Sequence, residues 1–599
     1  MTTNKHTTII GIDLGTTNSV VAGIVKGRPQ ILCDSDESVL PSIVGLDASG
    51  SLVTGVVARN QLAAFPERTI ASIKRQMGSN ESVSMAGQTF TPQEISAILL
   101  RRLADCASHA LGEPVSHAVI TVPAFFDENQ RQATREAGVL AGLTVERIIN
   151  EPTAATLVYH ADSEEQKHVV VYDFGGGTFD VSVVRFEAGV VEVLSSKGDT
   201  LLGGDDLDKL LLDHVALDFY KQHQFELRDD PSTKYRLLLA CEAAKCKLST
   251  QARVEINEEF IAEVDGKMQN LSTSITREDF EQMVLPLVDQ TIGSVHDALR
   301  EAGLSINAID DLVLVGGSTR IPLVMQRLHD EFTISPNFAV DPDMAVALGA
   351  ATQAGMLSGK QVGPVLVDIT GHTLGVEAMN GLVNELRFSP IIKRNTPLPA
   401  TYEEIFYTVF EEQLRVEVHV LQGESEDPMR NRSIGRFILE LDQDNDNTNK
   451  ENIDNTIIIR FDLSLDGTLT VTAIQQSTGN QQELIVDNAL SDFQTDEREE
   501  AVTRLSKMLD NPALQDSASP LLSSDQTAAN EIELQGKPQY EAAAKMLEQC
   551  DELHNIPAED ADDIETVTKA LREAMSCDDA NKVGLLSAEL EDILFYLED

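Results

Sequence analysis

The chain has 599 residues, with 97 Asp and Glu against 46 Lys and Arg and a formal net charge of −51. That balance excludes general binding to nucleic acid or to anionic membrane surfaces, both of which recruit Lys and Arg. Its length suggests roughly three to five domains' worth of soluble material, no run approaches the roughly 18 apolar residues that span a bilayer, and the cysteines, lacking Cys-x-x-Cys pairing or metal-ligand spacing, read as reduced cytoplasmic thiols.

The polar Met1 to Thr8 carries no visible secretory signal and leads into the run Ile9 to Val21, which reads as strand, Asp13, a Gly/Thr turn and a second strand. Ile70 to Arg75 then brings a basic pair, Lys74-Arg75, which alone reads as a solvated patch. Residues 92–111 have helical spacing through Ile95, Leu99, Leu103 and Ala107, with Pro92 at the helix start. Ala118 to Val122 form a strand closed by Pro123, Gln130 to Gly142 a helix, and Ile148 to Ala155 a strand-to-helix junction. Glu151 stands there just before a proline, a position for a cap or for a side chain pointed into a cleft.

The stretch 169–184 organises the chain. Val169 to Tyr172 suit a buried strand, Asp173 closes it, and Gly175-Gly176-Gly177 turn without a Cβ between backbone and ligand. Thr178 adds a hydroxyl and Phe179 to Val184 return as a strand. Successive N–H groups in such a turn form an anion nest. Asp173 and Asp180 would repel a phosphate, which implies a hydrated divalent cation between them, and magnesium fits. Alone, a Gly-Gly-Gly-Thr turn is equally an ordinary hairpin. The N-terminal run repeats the device, however, and Leu312 to Arg320 adds a third glycine turn leading into a helix. Two matching hairpins suggest two similar lobes gripping one polyphosphate. Neither a Walker run nor a Gly-x-Gly-x-x-Gly opening a helix is present. Residues 236–248 read as a helix with Glu242 and Lys245 three apart on one face, and Pro342 to Met356 as the helix that ends this unit.

Gly359 to Pro364 reads as a flexible link, and Val365 to Asp368 by composition as another buried strand. From 370 to 487 the pattern changes to short alternating segments between Gly, Asn and Asp turns, as in an antiparallel β-sandwich. Asp442 to Asp454 reads as a solvated loop. From 491 onward, 27 acidic against 8 basic residues accompany three helical periods, which predicts a small helical bundle.

Three runs, Ile12 to Ser19, Tyr172 to Asp180 and Val315 to Pro322, resemble the signatures of the seventy-kilodalton heat-shock chaperones of DnaK type. Arg131 to Thr134 and Asn150 to Ala155 match as well. The similarity runs from residue 8 to about 487 and fades beyond. It implies an α/β actin-like (ribonuclease-H-like) two-lobed ATPase domain over 1–358, an interdomain linker over 359–369, a peptide-binding β-sandwich over 370–490 and a helical lid over 491–599. It implies an ATP-dependent molecular chaperone, in which hydrolysis of ATP to ADP with Mg2+ opens and closes a clamp on extended apolar segments of unfolded polypeptides. A J-domain cochaperone, a nucleotide-exchange factor, a monomeric state and a cytoplasmic location come with it. The alternative is an actin-clan small-molecule kinase or filament-forming ATPase, which needs no sandwich after the linker.

By the same resemblance Asp13 and Asp173 hold magnesium through its waters, and Asp180 helps to place ions or the attacking water. Lys74 neutralises the γ-phosphate and Glu151 is a supporting carboxylate or weak base. Gly15, Thr16, Thr17, Gly175, Gly176, Gly177 and Thr178 cradle the phosphates, with Gly203 and Gly204 nearby. Glu242, Lys245 and Ser249 match the adenosine-contacting helix, and Gly316, Gly317, Ser318, Arg320 and Asp343 close the other side. Pro123, Arg131 and the linker residues Val365, Leu366, Val367 and Asp368 match positions that relay nucleotide state. Val376, Met379, Phe406, Val409, Val416 and Val418 match a peptide channel, although residue by residue they read as ordinary sandwich core. The chain departs from the family pattern at Cys246, where some relatives have an adenine-stacking arginine, and at Gly371-His372, where Pro-Leu is common. The stretch between Lys74 and Pro92 is shorter, the lid is short, and the C-terminal Glu-Glu-Val-Asp tail is lacking.

Overall fold

The computed structural model describes residues 8–486 except 34–37, 80, 160–165, 333, 335, 337–340, 361, 381–384, 411–412, 443–455 and 466, together with a few positions between 501 and 508 and Thr568. The chain divides into two compact units, Met1–Leu514 and Gln515–Asp599. The predicted Asp442 to Asp454 loop and the helical bundle lie almost wholly outside the described residues.

Two mixed sheets built on the same plan carry the first part of the chain. In the first, Ile9–Asp13, Asn18–Val25 and Arg28–Ile31 form an antiparallel meander, and His117–Val122 and Thr144–Asn150 add in parallel beside Ile9–Asp13. In the second, Lys167–Phe174, Phe179–Glu187 and Val190–Asp199 form the meander, and Asp311–Val315 adds in parallel beside Lys167–Phe174. Central strands of both read as near-continuous Val and Ile because helices cover both faces. The repeat sets each glycine turn at the end of its sheet's first hairpin.

Element boundaries follow local chemistry. The helix predicted from Gln130 spans Glu128–Leu140, because Asp127 and Gln130 form a reciprocal capping box that starts it earlier. The helix predicted from Pro342 spans Ala345–Leu357. Its start is delayed because the Pro342 carbonyl accepts the N–H of Gly316 at 3.1 Å, tying that residue to the third glycine turn. The strand expected to close at Asp173 runs one residue further, to Phe174, and pairs Asp173 directly opposite Asp180.

Val365–Val367 forms the fifth strand of the second sheet, parallel to Val190–Asp199, with Leu366 opposite Val191. The segment is therefore the strand that its composition suggests. After it come two four-stranded antiparallel sheets. One is ordered Glu385–Ile392, Leu374–Asn380, Arg415–Gln422, Arg432–Glu440; the other Ala400–Tyr407, Thr456–Leu463, Leu469–Gln475, Gln481–Val486. Burial alternates strictly along Thr456–Leu463, as it must where one face packs and the other is solvated. Val376, Val418 and Val420 of the first sheet meet Ile457, Phe461 and Val471 of the second in one core.

Candidate functional site

The two hairpin turns meet. A Cβ on Gly176 would lie 1.8 Å from Thr17 Oγ1, and one on Gly177 would lie 2.4 Å from Thr16 Cγ2. Only glycine lets the two turns approach so closely. The third turn closes in from the side: Gly316 has φ +82°, and its Cβ would strike the Phe174 carbonyl oxygen at 2.5 Å. Gly203 packs against the Gly176 peptide in the same way, and the N–H of Asp205 donates to the Gly176 carbonyl at 2.7 Å.

A cleft open to solvent lies between these turns. Asp13, Lys74, Glu151, Asp173 and Asp343 line it, with Gly15, Thr16 and Thr17 from the first hairpin. Gly175, Gly176 and Thr178 come from the second, and Gly316 and Gly317 from the third turn. Gly177 lies just behind, against Thr16, and Asp180 is buried beside the wall. Ser318 Oγ donates to the Gly175 carbonyl at 2.9 Å, and Lys245 Nζ donates to the Gly204 carbonyl at 3.1 Å and to Asp208 at 2.7 Å. Glu242, on the same helix Pro231–Leu248, pairs with Arg59 of the other lobe at 2.7 Å. Ser249 caps that helix, and Arg320 pairs with Asp341 and Asp343. The Lys74-Arg75 pair is thus no solvated patch: Lys74 is buried and ion-paired with the buried Glu151, and Arg75 pairs with Asp206.

Charge is concentrated here. Burial first, then Glu151, pushes Asp13 up to about 7, against the pull of Lys74 and of Thr121 Oγ1, which donates to it at 3.1 Å. Burial likewise holds Asp173 and Asp180 well above the carboxylate range, again with Glu151 as the strongest repulsive charge. Like charges opposite each other across a hairpin are destabilising, and one lysine cannot balance four carboxylates. This donor set fits a hard cation. Among the described residues no three His, Cys, Asp or Glu side chains form a direct cage, and magnesium, which keeps most of its waters, needs none.

Sequence reasoning missed Thr121, Asp205 and Asp206. Asp205 accepts from Thr17 and Ser72, at 3.3 and 2.8 Å, and Asp206 pairs with Arg75, whose guanidinium also donates to the Gly177 carbonyl at 3.0 Å. The available signal was Asp-Asp opening the helix Gly204–His223, where acidic residues favour the N-terminus.

A second cluster surrounds the linker. Asp368 is buried and accepts two hydrogen bonds from Asn150 Nδ2, both 3.1 Å. Asn150 Oδ1 accepts from Arg131 at 2.6 Å, and Arg131 also donates to the carbonyls of Ala124 and Phe126. Pro123 is buried at the start of that segment, and its carbonyl accepts from the Phe126 N–H at 3.1 Å. Leu366 is 9% exposed inside a cluster with Val191 and Val193, whereas Val365 is 64% exposed. In the sandwich, Val376 and Val418 are core residues, Phe406 and Val416 are half-buried against that core, and Met379 and Val409 are exposed.

Two lobes of matched topology, closed by paired hairpin turns over buried carboxylates, frame one cleft. The family model for the Hsp70 protein matches residues 9–596. The chain belongs to the Hsp70 family, whose members are ATPases and ATP-dependent chaperones that bind unfolded polypeptides and cochaperones. Among the described residues no helix is long and apolar enough to cross a membrane.

Proposed function

We propose that ATP hydrolysis in the cleft of an actin-like ATPase domain drives opening and closing of a peptide clamp in the sandwich. The linker carries this reading: Val365–Val367 is hydrogen-bonded into the second lobe's sheet while Asp368 is tied through Asn150 to Arg131 of the first. A segment held by both lobes responds to any change in their closure. A small-molecule kinase or a filament former has no use for such a strap leading to a second domain.

In the cleft, the hairpin turns would orient the phosphates through backbone N–H groups, and Asp13 and Asp173 would hold a magnesium ion through its waters. When bound, that ion supplies charge neutralisation across the phosphates. Lys74, aimed by its ion pair with Glu151, stabilises charge that grows on the reacting phosphate. Asp180, fixed by the Phe125 N–H at 3.1 Å, orients the attacking water. The Pro231–Leu248 helix, with Glu242, Lys245 and Ser249, takes the adenosine, with Ser318 and Arg320 opposite. The sandwich over 370–490 binds extended apolar peptide at Met379, Val409 and their neighbours, and 491–599 is a short lid. A J-domain cochaperone, an exchange factor, a monomeric state and a cytoplasmic location complete the proposal. The test is phosphate release from full-length protein with ATP plus an extended leucine-rich peptide, against ATP plus common sugars. Peptide should raise turnover. Transfer of phosphate to a sugar without any peptide effect would overturn the reading.

A further inference from the structure

One residue of the first lobe is gripped from both sides. The backbone N–H of Phe125 donates to Asp180 Oδ1 at 3.1 Å, and its carbonyl accepts from His372 Nε2, also at 3.1 Å. The two rings lie against each other, with centroids 4.8 Å apart and planes tilted by 60°. The carbonyls on either side, of Ala124 and Phe126, belong to Arg131 at 3.1 and 3.2 Å. His372 takes the one between them.

The sandwich presents that imidazole from a fixed support. A Cβ on Gly371 would come 2.8 Å from the Ala124 carbonyl oxygen, so glycine permits the approach. Thr370 Oγ1 donates to the His372 carbonyl at 3.0 Å. The N–H and hydroxyl of Thr373 both donate to Glu424 at 2.9 Å, and the Gly423 N–H donates to the Thr373 carbonyl at 3.0 Å. Gly371-His372 is also where the sequence departs from the Pro-Leu common in the family it resembles. Leucine has no donor for a carbonyl.

We propose that His372 is a positioning residue that latches the sandwich to Phe125, so that docking of the sandwich is transmitted to Asp180 through the two backbone groups of one residue. The latch rests on the reading of this chain as a nucleotide-controlled clamp. It is distinct from the Arg131–Asn150–Asp368 path, which follows the linker.

The imidazole also gives the latch a pH dependence that a packing contact lacks. Burial lowers the affinity of His372 for a proton. The Phe125 carbonyl and Glu424 oppose this, while Arg131 of the first lobe and Arg394 of the sandwich, itself paired with Glu301, reinforce it. A base whose docked value lies below its free value favours docking in full above the free value, near 6.5. The benefit is lost as pH falls through the docked value.

The experiment uses full-length protein loaded with a fluorescent leucine-rich peptide and mixed with ATP. Release rate and linker cleavage by a protease are followed at pH 8 and pH 6. His372→Leu should reduce the ATP-driven acceleration of release about tenfold at pH 8, since it leaves the half-buried Phe125 carbonyl without its donor, and should expose the linker to cleavage. His372→Gln, which restores an N–H at similar reach, should recover most of the acceleration. Acceleration should fall from pH 8 to pH 6 by more in wild type than in His372→Gln. Wild-type acceleration in a folded His372→Leu variant would overturn the latch alone. Failure of His372→Gln to recover, with no pH effect in wild type, would assign His372 to packing and also overturn it. If ATP accelerates release in no variant, wild type included, the clamp reading falls and the latch with it.

Discussion

Replacing Leu366 with Asp tests the linker strand most severely. The side chain is 9% exposed and packs with Val191, Val193 and Phe186, so its burial contributes about 2 kcal/mol to docking. Losing that alone shifts the docking equilibrium roughly 30-fold. A carboxylate in the same place must also shed water, or take up a proton, at a cost of at least another 1–2 kcal/mol. Docking should therefore weaken by about 100-fold to 1,000-fold. The strand is three residues long at the edge of its sheet, with Val365 already exposed, so the lobes lose a strap rather than their core. Limited proteolysis with ATP present should cut the linker of Leu366→Asp far faster than that of wild type. The α/β lobes should melt within a degree or two of wild type, and ATP should no longer speed peptide release. Equal linker protection in both proteins, or early melting of the lobes, would refute the strap and make this an ordinary core strand.

Lys74→Ala should cut single-turnover hydrolysis by about two orders of magnitude or more while leaving ATP affinity largely unchanged, because the lysine acts on charge that develops during reaction; near-wild-type turnover would remove it from the chemistry. Asp173→Asn should have opposite effects in two assays. Removing one of two carboxylates paired across the hairpin should stabilise the nucleotide-free protein by about 0.5–1 kcal/mol, and calorimetry should show weaker magnesium-dependent ATP binding. A variant neither stabilised nor impaired would show that the pair does not share a cation. Gly176→Val should weaken ATP at least about tenfold, since its side chain would collide with Thr17 and spread the hairpins; unchanged affinity by calorimetry would mean the turns do not grip the phosphates together.

The parts of the site legible in the sequence are those where chemistry restricts the residue type. Gly176, Gly177 and Gly316 announce themselves because backbone approach excludes a Cβ, and Asp13 and Asp173 because a carboxylate beside such a turn is costly without a cation. Thr121 and Asp205 were not legible. One is a single hydroxyl in an apolar strand, the other an acid at a helix start, and only the fold brings them to Asp13 and Thr17. Lys74-Arg75 looked like a solvated patch because the sequence does not reveal that Glu151 and Asp206 face them. The linker was read both as strand and as coupling element. Val365–Val367 completes a sheet, as composition suggests, and the flanking Asp368 bonds to Asn150 of the other lobe. The Gly371-His372 departure was visible as a difference, but its consequence required the carbonyl of Phe125.

On the proposed function, the nucleotide in the cleft governs the grip of the sandwich. That control is tested most directly by loading full-length wild-type protein with a labelled leucine-rich peptide and following dissociation by fluorescence anisotropy after mixing with ATP or with ADP, each with magnesium. ATP should speed dissociation about tenfold or more, at least about 1.4 kcal/mol of coupling between the two sites. Identical dissociation rates in ATP and ADP, from a protein that hydrolyses ATP and binds the peptide, would contradict it.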